Sequence, residues 1–248
     1  MITDWWETFF SGPVLDIQRK ASREEKTRTE ADFIEKVLQI IPQGKILDVP
    51  CGEGRLSLEM ASRGYSVTGV DITLPFLEDA KRKASEKQLE ITWEHRDMRD
   101  LPWKEEFDAV ICFGGSFGYF DDEGNKTFLK AVFSTLKPEG TFLIDTHVAE
   151  TLLPRFQERD WHRIGDTLIA EEREYDHVHG RVRAEWILIQ GSTLEKRSSS
   201  VRMYTYCELV QMLEKAGFYN YHAYGSLGVS PFRVGSQRLY LTAKKKGH

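Results

Sequence analysis

The sequence predicts an α/β protein, with a doubly wound, mostly parallel sheet and an antiparallel β meander inserted late in the chain. Three observations carry that expectation. From residue 33 to residue 147, short apolar or β-branched runs alternate with helical segments, which is the rhythm of a parallel sheet with helices on both faces. Strand-like stretches then follow one another without a helix until Tyr206, as an antiparallel insert requires. Two apolar runs after that helix close the sheet.

The first helix is expected where Phe33, Ile34, Val37, Leu38 and Ile41 recur at helical spacing, ended by Pro42 and Gly44. Strands are expected at 45–49, 66–71, 91–95, 107–113 and 141–145, each a short run with turn residues nearby. Helices fall between them at 54–63, closed by Gly64, at 74–87, with Pro75 in the first turn, and at 123–136, before Pro138. Residues 160–205 read as a meander of about three strands, from the alternation Val182, Ala184, Trp186, Leu188 and turn signals at His179–Gly180 and Gly191–Ser192. A helix at 206–216 ends at Gly217, and runs at 218–224 and 238–243 complete a seven-stranded, Rossmann-like sheet. No repeat or linker interrupts this order, so 1–248 reads as a single domain with 1–27 as an N-terminal lid segment.

Composition narrows the function classes. A chain of 248 residues, 40% hydrophobic, buries a full core. Its net charge of −5 and pI near 5.9 create no attraction for a polyanion, which argues against extended nucleic-acid binding and for a small-molecule partner. Cys51, Cys112 and Cys207 are odd in number and far apart, as reduced thiols of a cytoplasmic protein would be. MITDWWETFF lacks the charged and apolar regions of a secretory signal, and no apolar run is long enough to span a membrane.

The informative stretch is 46–71, ILDVPCGEGRLSLEMASRGYSVTGVD. Gly52 and Gly54 stand where a strand hands over to a helix, so backbone N–H groups at the helix start can face a ligand closely. Asp71 ends the next strand at the same edge, where an acceptor-only side chain can take both hydroxyls of a ribose. A dinucleotide site would want a third glycine, but Ser57 stands there, and Asp48 would set a carboxylate beside a pyrophosphate. That carboxylate instead suits a ligand with a cationic amino-acid end.

On these residues the chain resembles the class I S-adenosylmethionine-dependent methyltransferases, whose first motif is an acid followed by alternating glycines. DVPCGEG matches it, with Pro50 replacing the first glycine and removing one N–H donor. The likeness continues through Asp71, Asp97-Met98 in HRDMRDLPW, FDAVICFGGSFGYF, KPEGTFLIDT and YTYCELVQMLEKAGF, roughly residues 33–244. It implies S-adenosylmethionine as cofactor, Asp71 on the ribose and Asp97 and Met98 at the adenine. The implied cofactor set is Arg28, Asp48, Pro50, Cys51, Gly52, Gly54, Asp71, Ile72, Asp97, Met98, Phe113 and Gly114, with Arg28 toward the methionine carboxylate. Simpler roles stay open: a local cap for Asp48, a turn former for Asp97, a helix-start arginine for Arg28 and a buried filler for Cys51.

Methyl transfer is an in-line displacement, so positioning and water exclusion carry much of the catalysis. Trp5, Trp6, Phe9 and Phe10, with Phe113, Phe117, Tyr119 and Phe120, offer aromatic walls. His147, at the end of the fifth strand, is the candidate base, and Tyr119, Arg202 and Tyr204 are candidates to orient the acceptor. Gly114-Gly115-Ser116-Phe117 stands where methyltransferases of amino groups in nucleobases or glutamine carry Asn/Asp-Pro-Pro-aromatic, which favours a small metabolite with an oxygen, nitrogen or carbon acceptor. No metal is expected, since His177 and His179 fall in a hairpin turn. The apolar residues of the insert suggest that it covers and shapes the acceptor pocket and also helps form a homodimer. A nicotinamide-dependent oxidoreductase and a non-catalytic nucleoside-binding protein are the rival classes.

Overall fold

The computed structural model describes residues 4–21 and 24–247, so residues 1–3, 22 and 23 of the expected lid segment lie outside it. Three helices come first: α1 (Trp6–Phe9), α2 (Pro13–Ala21) and α3 (Glu24–Leu38). The alternating portion follows as β1 (Lys45–Asp48), α4 (Arg55–Ser62), β2 (Ser66–Asp71), α5 (Leu74–Glu86), β3 (Thr92–His95), β4 (Phe107–Cys112), α6 (Asp122–Thr135) and β5 (Leu136–Thr146). After a short helix α7 (Ala149–Leu152) come four long strands, β6 (Arg159–Ile164), β7 (Thr167–Asp176), β8 (Arg181–Gln190) and β9 (Thr193–Arg202). Helix α8 (Tyr206–Ala216), β10 (Phe218–Tyr224) and β11 (Leu239–Lys245) end the chain.

The main sheet has seven strands in the order β10-β11-β5-β4-β1-β2-β3, with β11 antiparallel to both of its neighbours and the other pairings parallel. Central β1 is covered on both faces, which is why its Ile46 and Leu47 are adjacent apolar residues rather than an alternating pair. Successive side chains point to opposite faces, so Leu47 joins Val110, Phe128 and Phe142 in one core while Ile46 joins Phe33, Ala109, Ile111 and Leu143 in the other. The ends of α8 follow local chemistry. Thr205 and Glu208 form a reciprocal capping box, and Gly217 takes the left-handed conformation that closes the helix.

Two expectations need correction. The insert has four strands rather than three: β6, RDWHRI, is largely exposed and lacks the apolar alternation that marks a strand. It turns into β7 through a two-residue loop at Gly165, whose φ of 57° glycine adopts without strain. The first long helix stops at Leu38, because Gln39 is already left-handed, and Ile41 lies exposed beyond it. Elsewhere the ends shift slightly; β5 starts at Leu136, which already pairs with Phe107. The second sheet is joined to the main core through Ile169 and Leu188 and through Trp186 against Phe9, with ring centroids 5.2 Å apart. Among the described residues no helix is long and apolar enough to cross a membrane.

The turn after β1 is locked from behind. Gly54 has φ 75°, and a Cβ there would lie 2.5 Å from the Trp93 ring and 2.8 Å from the Ala80 methyl. Its absence of a side chain lets α4 start against α5 and β3. Gly54→Ala is therefore expected to cost about 2–4 kcal/mol, the sum of overpacking and left-handed strain, read from urea denaturation midpoints. A loss under about 1 kcal/mol would contradict this packing account.

Candidate active site

The carboxyl ends of β1 and β2 bring two acids together. Asp48 is 2% exposed and its Oδ2 accepts from Ser57 Oγ at 2.6 Å. Burial pushes its pKa up to about 7, against the opposing Ser57 hydrogen bond and Arg55 charge, while the charge of Asp71 raises it further. Asp71, 6% exposed, joins two turns: Oδ2 accepts from Gly52 N and Oδ1 from Thr73 N, both at 2.7 Å. Burial raises its pKa too, opposed by those same amides. Each of its oxygens keeps a lone pair for a ligand hydroxyl.

Around these acids lies a cavity of about 210 Å³. Asp48, Pro50, Cys51, Gly52, Asp71, Ile72, Asp97, Met98, Phe113 and Gly114 line it, as does Tyr119. At Gly52 (φ 56°) and Gly114 (φ 91°) a Cβ would meet nothing within 4 Å, so the backbone at both points is open to a ligand's close approach. Asp97 is held by Arg99, whose Nη2 donates at 2.6 Å; burial would raise the pKa of Asp97, but the Arg99 side chain and amide outweigh it and hold it below the usual carboxylate range.

The opposite wall is aromatic. Trp6 and Phe10, from and just after α1, meet Phe76, Tyr119 and Phe120 there. Trp6 packs edge-on to Phe120 at 4.7 Å, Phe10 stacks on Tyr119 at 6.4 Å, and the Arg99 guanidinium lies 4.1 Å from the Phe120 ring centroid. Burial pushes the Tyr119 phenol up to about 12, opposed by Ser116, so it stays protonated at neutral pH and can donate. Trp6 Nε1 and Arg238 Nη2 are buried without a partner among the described residues; the first belongs to a wall of the cavity.

Five sequence expectations sit elsewhere. Gly54 stands behind the cavity and serves packing. Arg28 is exposed on α3 and faces Glu24 at 3.4 Å, while Arg55, in the first turn of α4, lines the cavity and pairs with Glu30. His147 lies outside the lining, and both ring nitrogens are engaged, with Nε2 3.1 Å from Arg238 Nη1 and Nδ1 3.3 Å from Thr151 Oγ1. Since the guanidinium can only donate, Nε2 is an acceptor and Nδ1 carries the proton. Burial first, then the Arg238 charge, lower its pKa to about 4, so its lone pair is neither free nor basic at neutral pH and the base role falls away. Arg202 is tied to Asp122, Glu208 and two carbonyls, and the Tyr204 hydroxyl donates to Asp122 at 2.7 Å, which makes both of them struts between the insert and α6. His179 pairs with Asp176 in the exposed hairpin turn, and no group of three or more potential metal-binding side chains occurs among the described residues.

Sequence reasoning missed Gln18, Thr73, Phe76, Arg96 and Ser116, which also line the cavity. Thr73 and Phe76 directly follow the second-strand acid and were within reach. Gln18 depends on α2, whose buried Val14 and Ile17 are the helical signal that was passed over.

Residues 46–140 match a family model described as a methyltransferase domain. YqeM of Bacillus subtilis (strain 168), a protein named for methyltransferase activity, is 28% identical over 82% of this chain and 85% of its own. An S-adenosylmethionine-dependent methyltransferase from Clostridium acetobutylicum ATCC 824 superposes with TM-score 0.77 at 18% identity, covering 92% of this chain and 94% of that one. The CcbJ methyltransferase from Streptomyces caelestis does so with TM-score 0.80 at 17% identity, covering 98% and 99%. The matched domain spans the acid–glycine turn, both buried acids and the aromatic loop after β4, and over it the chain is similar to the S-adenosylmethionine-dependent methyltransferases.

Proposed function

We propose that the chain methylates an oxygen, nitrogen or carbon atom of a small metabolite in the cytoplasm, with the acceptor held between Tyr119 and the aromatic residues of the N-terminal segment. Bound in the cavity, S-adenosylmethionine supplies a methyl group made electrophilic by its sulfonium. The observation that carries the reading is the pair of buried acids beside two glycines open to a ligand. Asp71 accepts from the ribose hydroxyls, Asp48 faces the cationic amino-acid end, and Asp97 accepts from the adenine amine beside Met98. Gly52 and Gly114 admit the ligand's backbone-facing edge. On the acceptor side, Tyr119 donates a hydrogen bond, and the aromatic wall keeps water from the line of transfer. With His147 neutral and engaged, catalysis rests on positioning. Three free cysteines, two of them buried, support the reducing compartment.

The reading is tested by calorimetric titration with S-adenosylmethionine, S-adenosylhomocysteine and NAD. Binding of the first two without NAD is expected, and the reverse would favour the oxidoreductase reading. Asp71→Ala is expected to weaken S-adenosylhomocysteine by about 1–3 kcal/mol, the strength of hydrogen bonds to a charged acceptor. Unchanged affinity in a folded variant would remove Asp71 from the ribose site.

We also propose that a second copy of the chain covers the outer face of the β6–β9 sheet. Trp161, 67% exposed, shares a cross-strand row with Ala170 and Ile187, and the next row holds Leu168, Ile189 and Leu194. Arg159, Glu172 and Glu185 form the row beside them, so the face carries both signs of charge, as a two-fold contact needs. Light scattering over a dilution series should give a dimer mass; a monomer at every concentration would reject the contact.

A further inference from the structure

The second sheet reaches the cavity through one buried cation. Arg181, the first residue of β8, is 8% exposed, and each of its hydrogen bonds ends on a neutral oxygen. Nε donates to Ser200 Oγ at 2.8 Å, Nη1 to the Phe120 carbonyl at 3.0 Å, and Nη2 to the Tyr119 and Ser200 carbonyls at 3.3 and 2.5 Å. Tyr119 and Phe120 are the residues whose rings line the acceptor side of the cavity. Their carbonyls are therefore gripped from behind while their side chains face the ligand.

The same junction gathers the N-terminal segment. The Ser200 carbonyl also accepts from Trp5 Nε1 at 3.0 Å, and the Trp5 ring lies 4.6 Å from that of Tyr119. One step along, the Gly118 carbonyl accepts from Arg202 N at 2.7 Å, and a Cβ on Gly118 would fall 2.3 Å from the Arg202 carbonyl oxygen. Loop, insert and N-terminal helix thus meet around one guanidinium. A planar fork donating in several fixed directions can hold three carbonyls and a hydroxyl at once, whereas an ammonium cannot reach all four. Asp48, Gly52, Asp71 and Asp97 make their contacts to Ser57, Thr73, Arg99 and one another's turns rather than to Arg181, and Arg99, which holds Asp97 and lies over the Phe120 ring, links the two sides.

We infer that Arg181 is a positioning residue for the acceptor, through which the inserted sheet fixes the Tyr119–Phe120 wall and so sets acceptor selectivity. This rests on the methyltransferase reading, and it adds that the insert acts on acceptor affinity and not on cofactor affinity. Removing the guanidinium would take its donor from the Tyr119 carbonyl, leave the Phe120 carbonyl to Asn125 Nδ2 and the Ser200 carbonyl to Trp5 Nε1, and let the wall shift.

The experiment compares wild type, Arg181→Lys, Arg181→Met and Ser200→Ala. S-adenosylhomocysteine affinity is measured by calorimetry, and hydrogen exchange is followed at residues 118–121. The kcat and KM are determined for whichever acceptor turns over first on a panel of small amines, alcohols and carboxylic acids. For Arg181→Met, S-adenosylhomocysteine affinity should stay within about twofold, exchange should quicken, and kcat/KM for the acceptor should fall by about tenfold or more, mainly through KM. Arg181→Lys should recover part of that loss. Ser200→Ala, which removes only the hydroxyl contact, should shift the same quantities in the same direction by less, and it keeps the test decisive if Arg181→Met does not fold. Cofactor affinity falling in step with kcat/KM would overturn the inference, as would wild-type exchange and KM in the variants. If wild type neither binds S-adenosylhomocysteine nor turns over any acceptor, the methyltransferase reading fails, while hydrogen exchange still decides whether Arg181 holds the wall.

Discussion

Asp48 and Asp71 set two carboxylates at adjacent strand ends, both buried and both with pKa values raised chiefly by that burial. Buried charge is expensive unless it is paired or hydrogen-bonded, and here it is only partly compensated. Asp71 binds the amides that follow β1 and β2, so it dictates where both turns run. Asp48 leans on Ser57 in α4, which sets how that helix leaves the turn. Gly52 must then be left-handed, and Gly54 must be bare to clear Trp93. The local geometry of the site thus follows from keeping two acids close together and away from water, and a ligand bearing a positive charge completes the arrangement.

The remainder of the cavity is built by elements distant in sequence. The N-terminal helices deliver Trp6, Phe10 and Gln18, and the loop after β4 delivers Tyr119 and Phe120. The inserted sheet delivers no lining residue; it sits behind that loop and holds it through Arg181 and Arg202, while its Ser200 carbonyl holds Trp5. The buried acids and the aromatic wall are in this way held mainly by different contacts, with Arg99, paired with Asp97 and lying over the Phe120 ring, between them.

The alternating strands and the acid–glycine turn were legible because their signals are local. A buried parallel strand such as β1 reads as a short apolar run, and glycine marks a turn that other residues resist. Asp48, Gly52 and Asp71 could be named from those signals, Tyr119 from the aromatic run after the fourth strand, and Asp97 only from the family resemblance. What was not legible depends on partners far along the chain. His147 looked like a free base until Arg238, near the end of the chain, was found to occupy its lone pair. Arg28 looked apt as a carboxylate partner, yet α3 turns it to solvent and Arg55 takes the place beside the cavity. Strand β6 was missed because a solvent-exposed edge strand need not alternate, and Arg181 because nothing in RVRAEW says which of its arginines points inward.

The central claim is that the buried acid at the end of β1 awaits a cationic ligand, and proton release on binding tests it most directly. With its pKa near 7, Asp48 is about half protonated at neutral pH, and an arriving ammonium would lower that pKa and expel the proton. Titration of S-adenosylhomocysteine at pH 7, in buffers of differing ionisation heat, should show proton release, more at pH 6 and less at pH 8.5, and a smaller release from Asp48→Asn. Binding with no proton exchanged, or with proton uptake across that range, would contradict the account.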